Sequence, residues 1–189
     1  MDIKLIVAHD ENNGIGKNNK LAWNCPSDLK RFQSLTKDSI VICGRNTYES
    51  ILESNNGKLL DNRYFIIISN TLTDIDREKL SFKDRVNSQV FSGNREQLNG
   101  FMSDFDQEYQ EICELNHFDF KNVFVIGGAK LYKELHFYCK YWYVSEIHGH
   151  FDCDAIWYVN WNQNALNEIY KVERKDHTFK IYENKGCIR

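Results

Sequence analysis

The run Ile40-Val41-Ile42-Cys43-Gly44-Arg45-Asn46-Thr47-Tyr48-Glu49-Ser50-Ile51-Leu52 changes its periodicity within a few residues. Its first four positions are all apolar, as in a strand covered on both faces. After Gly44 the apolar positions are Tyr48, Ile51 and Leu52, the spacing of one helix face. A buried strand passing through glycine into a helix is half of a parallel α/β unit. Towards the N-terminus, Ile3 to Ala8 reads as a strand. Leu29, Phe32 and Leu35 there give a helix from about Pro26 to Thr36 an inward apolar face, with proline at its first position. Towards the C-terminus, Tyr64 to Ser69, Val86 to Phe91, Val123 to Ile126 and Tyr141 to Ile147 read as strands, and Leu131, Tyr132 and Leu135 as the inner face of a helix after Gly128. Phe65 to Ile68 is again apolar throughout, which predicts a central strand. Ile169 to Glu173 and Phe179 to Glu183 flank a polar turn at Lys175, Asp176 and His177, the pattern of an antiparallel hairpin at a sheet edge. The expectation is one α/β domain over residues 1–189, with a central, mostly parallel mixed sheet flanked by helices. Thr73 to Asn122 is polar, and Asp104, Asp106, Glu108, Glu111, Glu114 and Asp119 make its second half acidic; it reads as a surface excursion.

Composition narrows the function. With 189 residues and 42% apolar content the chain can fill a single core. Its 27 acidic against 24 basic side chains give a net charge of -3 and no long-range attraction for phosphate backbones, so a sequence-independent nucleic-acid binder is disfavoured. No apolar run approaches the roughly 18 to 20 residues of a membrane span. The start, Met1-Asp2-Ile3-Lys4-Leu5, lacks the basic and then long apolar regions of a secretory signal. Six cysteines without a CxxC pair, several inside apolar runs, predict buried thiols and a reducing, cytoplasmic setting.

Four features could carry chemistry. Asn12 to Trp23, rich in Gly and Asn, joins the first strand to the first helix and reads as a mobile lid anchored by Trp23. Asp28 stands in the first turn of an otherwise apolar helix face. It is either a partner of the helix dipole or, in a closed cleft, a carboxylate able to hold a donor-rich heterocycle by two parallel hydrogen bonds. Gly44-Arg45-Asn46-Thr47 suits a phosphomonoester, and Gly127-Gly128-Ala129-Lys130 lets backbone N–H groups approach a pyrophosphate. Two such seats suggest a dinucleotide, although neither matches GxGxxG or GxxxxGK[ST]. His148, His150, Asp152 and Asp154 are adequate in type for a divalent metal, but their i, i+2 spacing is equally a solvent face, and no metal is assigned.

Taken together, Gly14-Ile15-Gly16, Leu21-Ala22-Trp23-Asn24-Cys25-Pro26-Ser27-Asp28-Leu29 with Phe32, Gly44 to Ile51, Arg63, and Ile126-Gly127-Gly128-Ala129-Lys130-Leu131-Tyr132 followed by Ser145 resemble dihydrofolate reductases. The likeness covers about residues 1 to 70 and 120 to 183. It implies NADPH-dependent reduction of 7,8-dihydrofolate to tetrahydrofolate by a cytoplasmic monomer, with antifolates such as methotrexate or trimethoprim as inhibitors. Asp28 matches the pocket carboxylate that binds the pterin 2-amino group and N3 and promotes protonation at N5. Leu21 and Trp23 match positions beside the proton-donating water, and Ser145 a hydroxyl supporting the carboxylate. Ala8, Leu29, Phe32, Ile51, Leu60 and Ile126 match the folate pocket, and Arg63 the arginine holding the glutamate α-carboxylate. Ile15, Gly16 and Leu21 match the lid contacts to nicotinamide and ribose, and Ala8 and Ile126 match further cofactor contacts. Gly44, Arg45, Asn46, Thr47 and Ser69 match one phosphate and adenosine seat, and Gly127, Gly128, Ala129, Lys130, Leu131 and Tyr132 the other. A cis peptide between Gly127 and Gly128 is also implied. The chain departs from the family pattern at Ala22, Cys43, Tyr48 and Asp61-Asn62. Two other readings stay open: a related pyrimidine reductase of riboflavin synthesis, which would not need Asp28 and Arg63 together, and a nucleotide- or RNA-binding regulator without catalysis.

Overall fold

The computed structural model describes residues 1–72, 80–158 and 165–188. Strand β1 (Ile3–His9) leads through the short β2 (Gly14–Gly16) to α1 (Pro26–Thr36), β3 (Ser39–Gly44), α2 (Arg45–Ser54) and β4 (Arg63–Ile68). Then come α3 (Phe82–Val86), β5 (Ser88–Phe91), α4 (Arg95–Ser103), α5 (Phe105–Asn116), β6 (Asn122–Gly127) and α6 (Ala129–Leu135). A 3-10 turn (His136–Tyr138) precedes β7 (Cys139–Ile147), β8 (Ala155–Ile156), β9 (Leu166–Glu173) and β10 (His177–Asn184).

Eight strands form one sheet in the order β5-β4-β3-β6-β1-β7-β10-β9. All neighbours from β5 to β7 run parallel, while β10 pairs antiparallel with both β7 and β9, so the C-terminal hairpin closes one edge as its sequence predicts. Alternate residues of each parallel strand serve different faces. Leu5, Ile42, Ile66 and Val125 join one buried cluster with residues of α4, α5 and α6. Ile6, Val41, Phe65 and Phe124 join another with Phe32 and Leu35 of α1 and Tyr48, Ile51 and Leu52 of α2.

Three details differ from the sequence expectation. Val86 ends helix α3, so the strand begins only at Ser88. The described part of the stretch from Thr73 to Asn122 is no mere surface excursion: Leu98, Met102, Phe105, Tyr109, Ile112 and Cys113 of α4 and α5 fill one core face. Thr73 to Lys79 lie outside the described residues. Finally, the apolar stripe of α1 divides: Phe32 and Leu35 pack on the core, whereas Leu29 is 47% exposed.

Candidate active site

One large cavity of about 1100 Å³ opens where the carboxyl ends of β1, β3, β4 and β6 meet α1 and α2. Strand register builds one end of it. Ser145 of β7 pairs with Ala8 of β1 on one side and with Phe179 of β10 on the other, and all three line the cavity. Asp28, in the first turn of α1, projects onto this row, and the Ser145 hydroxyl donates a hydrogen bond to Asp28 Oδ1. The Asp28 side chain is only 15% exposed. It is thus a mostly enclosed carboxylate with one oxygen fixed by a hydroxyl. Leu29, Phe32, Ile51, Leu60 and Ile126 continue the wall. Leu29 and Leu21 owe their exposure to facing the cavity, and an apolar wall with a single carboxylate suits a flat, donor-bearing ring.

The far end is built from strand-to-helix turns. Helices α2 and α6 start after Gly44 and Gly128, and neither has a side-chain cap on its N-terminus. Unsatisfied N–H groups at such a start attract anions. Gly44, Arg45, Asn46, Thr47, Ser69, Gly127, Gly128, Ala129, Lys130, Leu131 and Tyr132 all line this end. Arg45 is held by bonds from Nε to Glu49 (2.6 Å) and from Nη1 to Thr71 (2.8 Å). The Gly127–Gly128 peptide is cis, and Gly127 has φ +125°. That conformation calls for glycine, and a Cβ there would also crowd the Tyr132 hydroxyl at 3.1 Å.

The lid lies across the opening. Ile15, Gly16, Asn19, Lys20 and Leu21 line the cavity; Lys20 Nζ reaches Glu53 of α2 at 2.8 Å, and Asn46 Nδ2 donates to Asn19 at 3.2 Å. Its base is fixed by Asp10, whose Oδ1 accepts from the N–H of Asn12 (2.9 Å) and Gly14 (2.7 Å), while Oδ2 accepts from Phe151 (3.0 Å). The His148 to Asp154 segment is committed to this stitching. Asp152 pairs with Lys17 at 2.5 Å, Asp154 accepts from the Asn18 N–H, His150 meets Glu11, and His148 bonds the Lys175 carbonyl and Thr178. These four side chains do not converge on a metal position.

Two expected site residues stand behind the cavity lining. Trp23 is buried edge-on to Phe151 with ring centroids 5.7 Å apart, in a cluster against which Ala8 packs. Arg63 is buried and donates to Thr36 Oγ1 (3.0 Å) and to the carbonyls of Asp61 (2.6 Å) and Gln33 (2.8 Å). Burial lowers its pKa, with Asp38 and Asp61 opposing that effect. Sequence reasoning missed Arg31, Phe179 and Lys20. Arg31 lines the cavity with its Nη1 4.0 Å from Asp28 Oδ1. Its i, i+3 spacing from Asp28 put both on one helix face, a signal available in the sequence. Phe179 arrives by long-range strand pairing, which leaves no local trace.

Comparison with known proteins gives a family and a fold. The family model described as dihydrofolate reductase matches residues 2–185. A dihydrofolate reductase of Bacillus subtilis (strain 168) is 31% identical over 193 aligned positions, covering 99% of this chain and 97% of the relative. One from Buchnera aphidicola (subsp. Acyrthosiphon pisum) is 32% identical over 94% of this chain and 90% of its own length. A solved structure of dihydrofolate reductase from Enterococcus faecalis, complexed with NADP(H) and RAB-propyl, superposes with a TM-score of 0.67 at 23% identity, covering 97% of this chain and 96% of that one.

Proposed function

This chain belongs to the dihydrofolate reductase family, and from that premise we propose how its own residues share the reduction of 7,8-dihydrofolate to tetrahydrofolate with NADPH. The observation that carries the reading is the Ser145–Asp28 pair, enclosed at one end of a cavity whose other end is ringed by two glycine-led helix starts. The donor set there fits a dinucleotide: Arg45, Thr47, Ser69 and Lys130 with the N–H groups after Gly44 and Gly128 would hold its phosphates and adenosine, and Ile15, Gly16 and Leu21 its nicotinamide side. When bound, NADPH supplies the hydride received at pterin C6.

The protein's share is orientation, dryness and one proton. Asp28 accepts two parallel hydrogen bonds from the pterin 2-amino group and N3, the strong charge-assisted geometry of a carboxylate. Ser145 fixes the plane of that carboxylate. Ala8, Leu29, Phe32, Ile51, Leu60 and Ile126 form the apolar slot, where exclusion of water strengthens the remaining polar contacts. Leu21 on the lining, with Trp23 packed behind it, flanks the place from which a water delivers the proton to N5. Three contacts engage three of the five guanidinium N–H groups of Arg63, which leaves donors for the glutamate α-carboxylate. The reading extends to a cytoplasmic monomer inhibited by methotrexate- and trimethoprim-like antifolates: one chain completes the cavity, and all six cysteines are unpaired. Among the described residues no helix is long and apolar enough to cross a membrane.

The test compares NADPH oxidation by the parent and by Asp28→Asn across pH. The variant is expected to fold and to bind NADPH, and to lose about a hundredfold or more in rate, most severely at neutral pH and above. Turnover at the parental rate would remove Asp28 from the reaction.

A further inference from the structure

The turn between β9 and β10 folds back onto the start of α1 and brings Cys25, Asp176 and His177 together outside the cavity lining. Cys25 Sγ lies 3.4 Å from Asp176 Oδ2 and 3.6 Å from His177 Nδ1. In a tetrahedral zinc site, bonds of about 2.3 Å to sulfur and about 2.0 Å to nitrogen or oxygen hold the ligand atoms about 3.3 to 3.6 Å apart. Both sulfur contacts therefore already have the separation of coordinated ligands. His177 is fully buried and Cys25 buried, so two ligands are fixed by packing, while the Asp176 side chain is 53% exposed and opens the site to solvent. Ser27 Oγ lies 3.5 Å from Cys25 Sγ, beside the group, and the fourth position would fall to it or to solvent. We propose that Cys25, Asp176 and His177 form a binding site for a soft divalent cation of the zinc class.

The charge and proton inventory supports this. Thiolate and carboxylate together balance the two charges of the ion, and binding releases the thiol proton. A second consequence follows from His177. Its Nε2 lies 2.8 Å from Arg31 Nη1, and a guanidinium only donates, so Nε2 is the acceptor and the ring proton sits on Nδ1, facing Asp176 Oδ1 at 2.8 Å. A metal on Nδ1 moves that proton to Nε2, where it meets another donor. Arg31 then leaves His177. The same guanidinium stacks 4.2 Å from the Phe179 ring centroid and stands 4.0 Å from Asp28, so occupation of the site alters the charge beside the cavity carboxylate. This link, unlike the site itself, rests on the reading of Asp28 as the substrate's partner.

The experiment adds Co²⁺ to the metal-stripped full chain. An equimolar addition should produce the near-ultraviolet thiolate-to-cobalt charge-transfer absorption, and Zn²⁺ should abolish it by competition. Cys25→Ser, checked for folding by circular dichroism, should lack the band, and His177→Gln should bind roughly tenfold more weakly or worse. No band in the parent, or one that persists in Cys25→Ser, overturns the site. Zn²⁺ should also slow NADPH oxidation by the parent and leave Cys25→Ser unaffected; binding without slowing overturns the Arg31 link. Asp28→Asn must retain the Co²⁺ band, which separates failure of this proposal from failure of the catalytic assignment.

Discussion

Ser145 and Asp28 are 117 positions apart, and their contact exists because β7 pairs with β1 in a register that sets Ser145 beside Ala8. A hydrogen bond to a charged group contributes about 1.5–3 kcal/mol, and about 1.4 kcal/mol is a factor of ten in rate. Ser145→Ala should therefore lower kcat/KM for dihydrofolate by about tenfold, whereas Ser145→Thr, which keeps the hydroxyl, should stay near the parent. Steady-state kinetics on the two variants decides this, and equal losses would mean that volume rather than the hydroxyl matters. Asp28 was legible in the sequence because a lone carboxylate interrupts an apolar helix face next to a lid-like loop. Its hydroxyl partner was not legible from pattern alone, since nothing near Ser145 indicates what stands opposite; only the family resemblance supplied it. Arg31 shows the reverse case: its helical spacing from Asp28 was visible, but its bond to His177 depends on how a distant hairpin folds.

At the scale of elements, the lid is a loop whose entropy is limited by one buried carboxylate. Burial raises the Asp10 pKa, but the N–H groups of Phe151, Gly14 and Asn12, with His150 nearby, outweigh it, so the carboxyl titrates below its ordinary value. The folded state thus favours the ionised form more than the unfolded chain does. The stabilisation is complete above the unfolded value of about 3.9 and disappears as pH falls through the folded one. Asp10→Asn turns an amide N–H₂ towards backbone donors and should cost about 1–3 kcal/mol at neutral pH, the penalty of an unmet buried polar group. Chemical denaturation should show that gap to the parent closing at pH values below about 4. Gly16 makes the lid's other demand: a Cβ there would stand 2.7 Å from the Lys20 carbonyl oxygen, inside the turn that presents Lys20 and Leu21 to the cavity. Gly16→Val should weaken NADPH binding by about tenfold or more with little change in the core, measurable by fluorescence titration. The sequence marked this loop as a lid through its Gly and Asn content. It did not reveal that His148 to Asp154 serves as the opposing edge, because alternating polar residues look the same whether they face water or another loop.

At the scale of the whole molecule, strands at sequence-distant positions become neighbours: β6 lies between β1 and β3, and β10 between β7 and β9. Periodicity identified most of these strands, but their order depends on long-range pairing that no local window contains. The two core faces were similarly half visible, since the polar surfaces of α4 and α5 masked the apolar stripe that fills one of them. The packing that results buries ionisable groups, and this predicts the pH dependence of the entire fold. Burial lowers the His9 pKa; the Asp10 carbonyl, Glu146 and the Asp10 charge oppose this, and Lys180 adds to it. Burial likewise lowers that of His136, against bonds to the Tyr132 and Lys133 carbonyls. Both rings thus remain neutral in the folded protein at pH values where the unfolded chain is already protonated. Below about pH 6.5 the unfolded state binds more protons, so stability must fall as pH drops from there towards the folded values. Thermal unfolding between about pH 7 and pH 5 should show a declining Tm, and His136→Gln should make that decline shallower because one proton fewer separates the two states. An identical slope in the variant would show that His136 does not supply this dependence, and a flat parental Tm would show that neither histidine does.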